Sequence, residues 1–331
     1  MIFLRRRFHF PQAHQTKPPA RSEWQRCPRK AVAVCLLLCL GLAGCGRDPV
    51  EGRFEKYQGR LMRTIDAEAL AGDGLDLHRF PAQRELRLPA SDDSIELLEL
   101  WSLRGCALHR LIADNNSSLG RLAQPSTRMF YEIDFLRLVP ACMEALEQEG
   151  KTELASALAA AANSKLQRLP LVVWHGILGG PEYRQYWQVP HWLGAYPETT
   201  SQLPAEAALD SLTQRVERWL AGDYRLDRAA VELELQRLLG GDGGALYKSV
   251  ALQDEYLGRV DLALAQRYES GPICRGTGGQ RASILDTVVR KFFIGEIQPW
   301  STRIQRRAFL LLNPRSLEEL LAAGEPQAFR D

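Results

Sequence analysis

Apolar residues recur at helical spacing along almost the whole chain beyond residue 50. Phe54, Tyr57, Leu61 and Ile65 follow one another at three or four positions and would line one face of a helix. Gly72 and Gly74 close that segment, and Pro81 and Pro89 bracket an extended link. A second helix, capped by Asp92 or Asp93, carries Leu97, Trp101, Leu108 and Ile112 and stops near Asn115 and Asn116. A third starts near Ser126 and sets Tyr131, Phe135, Leu138 and Cys142 on one face. Pro140 lacks a backbone N–H and is expected to kink it. An alanine-rich helix over 152–169 comes next. Residues 170–200, rich in Pro, Gly, Trp and Tyr, read as short helices with loops. Further helices cover 204–221 and 227–239, and a long one runs from the Gly240–Gly244 turn to about Tyr268. The last carries Leu285, Val288, Val289, Phe292 and Phe293, with Pro299 as a break or kink. No segment keeps a period of two, and no long repeat occurs. The pattern predicts an all-α fold, an irregular multi-helix bundle, in which two helical lobes would meet near 170–205.

The segment before residue 50 breaks this pattern. Arg29 and Lys30 precede an unbroken apolar run, Ala31–Leu42. Twelve helical residues span about 18 Å, short of the roughly 30 Å hydrocarbon core, so the run reads as the apolar part of an export signal. It ends in Leu42-Ala43-Gly44-Cys45, which resembles the lipobox of bacterial lipoproteins. Small residues there would admit the backbone to a peptidase cleft, and the Cys45 thiol would take the lipid. Residues 1–44 are thus expected to be a signal peptide with an over-extended N-terminus, and 45–331 a single helical domain. Arg5-Arg6-Arg7-Phe8 resembles a twin-arginine signal but lies too far from the apolar run. Gly46, where an Asp would suggest inner-membrane retention, favours the outer membrane, facing the periplasm.

Charge and cysteines follow from that division. Residues 1–44 hold eight basic residues and one acidic one, so the chain's +2 becomes −5 for residues 45–331. A mildly acidic domain argues against nucleic acid as a partner. Of seven cysteines, Cys45, Cys106, Cys142 and Cys274 remain after cleavage. With Cys45 acylated, Cys106 and Cys142 are the expected disulfide, because their helices could fold back antiparallel across a short connection. Cys274 would be free or buried. No C-x-x-C, phosphate loop or nucleophile elbow calls for a metal, a cofactor or covalent catalysis.

Asn116-Ser117-Ser118-Leu119-Gly120, followed by Tyr131-Glu132 and Phe135-Leu136, resembles domain-of-unknown-function family 3080, a group of proteobacterial envelope lipoproteins. The flanking Cys106 and Cys142 and the segment Trp174–Glu182 fit the same resemblance, which covers most of the mature chain. It implies an envelope address and transfers no catalytic residue.

Three stretches are candidate binding surfaces. Asn115, Asn116, Ser117 and Ser118 either cap a helix and fix a turn or present amides and hydroxyls to a ligand. Tyr131 and Glu132 belong to a solvated helix face, or Glu132 is buried and bonds that loop. Trp174, His175, Glu182 and Trp187, with Tyr183, Tyr186, His191 and Trp192, either pack under a loop or line a groove for a glycan or protein. Arg281, Arg290, Lys291, Arg303, Arg306, Arg307 and Arg315 form a basic C-terminal region, a solvated face or a contact for anionic envelope components. The expected role is binding or adaptor work at the envelope, on a protein or glycan partner. The rival is an envelope enzyme acting on peptidoglycan or another glycan, which would need a second placed carboxylate.

Overall fold

The structure is a computed structural model that describes residues 48–68, 72, 74–82, 84–86, 103–117, 120, 123–273, 279–311 and 317–325. The predicted signal segment, Cys45, Leu97, Trp101, Ser118, Cys274 and Arg315 lie outside them. Every regular element among the described residues is helical, so the fold is all-α. None of these helices is long and apolar enough to cross a membrane.

In chain order the elements are α1 (Pro49–Ile65), α2 (Leu108–Asn116), α3 (Pro125–Gln148), α4 (Thr152–Ile177), α5 (Pro181–Tyr186), α6 (Pro204–Leu220), α7 (Arg228–Leu238) and α8 (Gly243–Glu269). Then come α9 (Gln280–Val288), a π-helical segment (Val289–Ile297), α10 (Gln298–Leu311) and α11 (Leu317–Leu321), closed by a 3₁₀ turn, Ala322–Gly324. Four of these helices open with proline at the first position, where the missing N–H costs nothing and the fixed φ suits the turn.

Interior prolines did not break the helices in which they fall. α3 continues through Pro140 and α4 through Pro170, and α4 runs to Ile177, well past the expected end near Leu169. Packing explains this. A helix-interior proline costs about 3 kcal/mol, whereas each fully buried aliphatic or aromatic side chain contributes about 1.5–3 kcal/mol. The last turns of α4 bury Leu169, Val172, Val173, Trp174 and Ile177. Gly324 then rests against the proline itself: a Cβ there would lie 2.4 Å from the Pro170 carbonyl. Pro299 likewise does not end the C-terminal run. The chain passes from α9 to α10 through the π segment, where the Gln298 N–H reaches back five residues to the Phe293 carbonyl.

Three apolar clusters form the interior. The first gathers α4–α7, α11 and part of α3, around Trp174, Tyr183, Tyr186 and Trp219. The second joins α1, α8, α9, the π segment and α10 around Phe54, Phe292 and Trp300, and takes in Leu193 from the loop after α5. The third packs α2 against α3 and the start of α4, around Phe135 and Leu158. Cys142 belongs to it, and a disulfide joins Cys142 to Cys106, with Cα atoms 5.4 Å apart. The predicted pairing is therefore present.

Closing a loop of 36 residues by this bond contributes about 4 kcal/mol in the chain-entropy picture. The Cys106→Ser, Cys142→Ser double variant should unfold in urea with that loss. An unchanged midpoint would contradict a stabilising role for the bond.

Candidate functional site

Asp48 is only 5% exposed and serves two segments at once. Its Oδ1 accepts the Val50 N–H at 3.0 Å and caps α1, and its Oδ2 accepts the Leu193 N–H at 2.5 Å. The Lys248 ammonium stands 3.9 Å from the same carboxylate and donates to the carbonyls of Pro190 and His191. An Asp before a proline is a strong helix start, and here it also pins the start of α1 to the 190–193 loop and to α8.

From that start α1 runs antiparallel to the C-terminal helical run. Successive contacts are Phe54 on Trp300 (centroids 5.6 Å apart), Lys56 with Glu296 (3.6 Å), Tyr57 on Phe293 (5.5 Å), Arg60 over Phe292 (4.6 Å) and Asp66 with Arg281 (2.5 Å). At the α1 start this packing leaves an open groove of about 700 Å³, lined by Arg53, Gly295, Glu296, Pro299, Trp300, Thr302, Arg303 and Arg306. Arg303 and Arg306 are exposed, and Arg53 is half-buried. None of the three guanidiniums forms an ion pair among the described residues.

Behind the groove lies a buried ionic cluster. Arg307, fully buried on the inner face of α10, donates through Nε and Nη2 to Asp242 at 2.7 and 2.6 Å, and through Nη2 to Glu206. Its Nη1 donates to the Ser201 carbonyl at 3.4 Å. Tyr196 donates its hydroxyl to Asp242 at 3.0 Å, and Trp300 donates its indole N–H to the Tyr196 carbonyl at 2.8 Å. Glu206 also accepts the Leu203 N–H at the start of α6. Burial alone would push the Arg307 pKa down, but hydrogen bonds and charge from Asp242 and Glu206 more than offset it and the pKa is raised. Burial first, then the Asp242 charge, raises the Tyr196 pKa, so the hydroxyl remains a donor.

The residues singled out in the sequence fall in several places. Asn115 and Asn116 end α2. The Ser117 hydroxyl donates to the Asp114 carbonyl at 2.7 Å and accepts the Gly120 N–H at 3.0 Å. A Cβ on Gly120 would meet the Asn115 carbonyl at 2.2 Å, so the described part of this run is a tight, self-bonded turn. Glu132 pairs with Lys165 at 2.8 Å, rather than with the loop. The buried Lys165 ammonium also sits over the rings of Tyr131 and Phe135, 5.0 and 4.9 Å from their centroids. Burial, then the Glu132 charge, raises the Tyr131 pKa.

Trp174 and His175 are buried in α4, and Tyr183 and Tyr186 stack in the first core with half-buried Trp187 edge-on to Tyr186 at 5.3 Å. Glu182 is half-buried in the first turn of α5. In this aromatic stretch Trp192, at 49% exposure, is the large side chain turned outward.

The basic region divides. Arg281 pairs with Asp66, Arg290 pairs with Asp286 at 2.8 Å, and Lys291 stands 5.7 Å from the Phe292 ring centroid. Arg307, expected on this surface, is instead buried: Trp300, Ile304 and Arg307 share one stripe of α10 at helical spacing.

Sequence reading passed over Asp48, Arg53 and Lys165. The Asp48-Pro49 pair was a legible cap signal. Lys165 sits on the Leu158–Leu169 stripe, a charge in an apolar row.

Two outcomes follow. Removing Arg307 leaves buried Glu206 and half-buried Asp242 uncompensated, so Arg307→Met should cost about 3–5 kcal/mol in urea unfolding. A loss below about 1 kcal/mol would contradict the cluster's role. Burial, and then Arg128, hold the His175 pKa below its ordinary 6.5, against a hydrogen bond with the Leu86 backbone that raises it. The unfolded chain therefore binds more protons below pH 6.5 than the folded one, so this stability is complete above that pH and falls as pH drops through it. His175→Gln should flatten the stability profile between about pH 7 and pH 5, and an unchanged slope would refute the assignment.

A family model described as a protein of unknown function (DUF3080) matches residues 54–330. No curated protein and no solved structure matches the chain.

Proposed function

The chain belongs to the DUF3080 family, and from that premise we propose that it is a lipid-anchored binding protein of the bacterial envelope, held to a membrane through Cys45. The observation that carries this reading is the position of Asp48. Three residues after Cys45 the chain is already buried and bonded at both carboxylate oxygens. Three residues reach at most about 11 Å. A lipid on Cys45 would therefore keep the α1 start within about 11 Å of the anchored residue. Two or three acyl chains make such an anchor effectively permanent, whereas one binds only reversibly. Gly46 favours the outer membrane, with the domain in the periplasm. The Cys106–Cys142 disulfide suits an oxidising compartment.

The buried acids give no support to glycan hydrolysis. Asp48 caps α1, Asp134 holds Arg137 and Arg228, Glu206 holds Arg307 and Glu234 holds Arg237. Each buried carboxylate among the described residues is thus occupied by a structural partner. A glycosidase acid needs an unpaired carboxyl whose pKa its surroundings raise.

Fractionation tests the anchor. The wild-type protein should partition with membranes and carry an acylated N-terminal cysteine by mass spectrometry. Cys45→Ala should lose the acyl group and the amino-terminal cut. Acylation that persists in Cys45→Ala would sink the reading.

A further inference from the structure

We infer that the arginine groove and the outer face of α10 form a docking surface for anionic phospholipid headgroups in the membrane that holds the protein. This inference rests on the lipid-anchor reading above for its orientation, and on the groove's own chemistry for its ligand.

Charge is the first argument. Arg53, Arg303 and Arg306 converge on one opening, and none is neutralised by an ion pair among the described residues. The carboxylate in the lining, Glu296, faces Lys56 at 3.6 Å. Guanidiniums bind phosphate oxygens through paired N–H donors, so a cluster of three fits a phosphodiester. The domain as a whole is mildly acidic, so this local cluster of arginines, without ion pairs among the described residues, stands against the average charge.

Apolar exposure on the same surface is the second argument. Thr302, Arg306 and Phe309 fall at helical spacing along one stripe of α10, and Phe309 is 74% exposed. Ile294, just before Gly295 of the groove, is 48% exposed. A soluble anion would have no use for a bare phenyl ring beside the arginines. A bilayer surface accepts both: the ring enters the headgroup–acyl boundary and the guanidiniums stay among the phosphates.

Direction is the third argument. The antiparallel contacts place Asp66 with Arg281 at one end of α1 and Phe54 with Trp300 near the other. The residues beyond Trp300, namely Arg303, Arg306 and Phe309, continue toward the end of α1 from which the chain leads back to Cys45. A lipid on Cys45 and this basic, aromatic surface therefore address the same membrane.

The buried Arg307 cluster supports the arrangement. It locks the inner face of α10 to α6 and α8, so the outward residues on the same turns are held without freedom to retreat.

The test uses the full-length acylated protein in vesicles of phosphatidylcholine, or of phosphatidylcholine and phosphatidylglycerol at two to one. Arginine modification by phenylglyoxal is followed residue by residue by mass spectrometry. Arg53, Arg303 and Arg306 should react several-fold more slowly in the anionic vesicles. Arg225, exposed and paired with Asp223 between α6 and α7, should react equally in both. Inorganic phosphate added to neutral vesicles at matched ionic strength should give no such protection. Equal rates in the two compositions would overturn the inference, as would full protection by free phosphate. Retention of the protein on both kinds of vesicle through Cys45 is read separately, so a failed anchor and a failed groove give different results.

Discussion

Arg307 is a cation with no access to water, and much of the second core is arranged around that fact. Removing a guanidinium from solvent is costly, and only close, hydrogen-bonded carboxylates make it tolerable. Asp242 supplies two bonds from the start of α8, and Glu206 supplies another from the first turn of α6. Three helices distant in sequence are thereby fixed to one side chain. The glycines beside Asp242 belong to the same constraint. A Cβ at Gly244 would lie 2.1 Å from the Gln188 carbonyl, so α8 can approach the 187–196 segment only with glycine there. Tyr196 and Trp300 then complete the join through their hydroxyl and indole N–H.

Most of the helices could be read from spacing, because their buried stripes repeat at three and four residues. Phe54, Tyr57, Leu61 and Ile65 are buried together, as their spacing requires. The disulfide was legible because, with Cys45 set aside for lipid, Cys106 and Cys142 lie in segments that a short connection can fold back on each other. Other features escaped because local rules were outweighed by packing. The change of composition at residue 170 put the end of α4 near Leu169, but several buried side chains outweigh the hydrogen bond lost at Pro170. Arg307 and Lys165 were hidden because charge normally marks the solvent face, whereas here each interrupts an apolar stripe and brings its partners with it. The arginine groove joins Arg53 to residues 250 positions later in the chain. Their meeting depends on the antiparallel packing of α1, which no local pattern encodes.

The polar turn at Asn115–Ser117 and the aromatic stretch from Trp174 drew attention in the sequence because they are dense in hydrogen-bonding and ring-bearing residues. In the fold the turn spends its groups on itself, and Trp174, Tyr183 and Tyr186 spend theirs on the first core. Trp192 is the outward member of that stretch, while exposed arginines and a phenyl ring gather at the start of α1 and along α10. That end of the molecule combines three arginines without an ion pair among the described residues and an outward phenyl ring.

The proposed orientation distinguishes the two ends of α1, which its 17 residues separate by about 25 Å. Phe309 lies toward one end. Tyr268, 75% exposed beside Arg267, whose Nε donates to the Ile65 carbonyl, lies at the other. The most direct measurement is a photoreactive phenylalanine analogue placed at either position in living cells, with adducts identified by mass spectrometry. Phospholipid adducts at position 309 and none at 268 are the predicted result. Equal lipid labelling at both positions, or protein adducts alone at 309, would contradict a domain held face-on to its membrane.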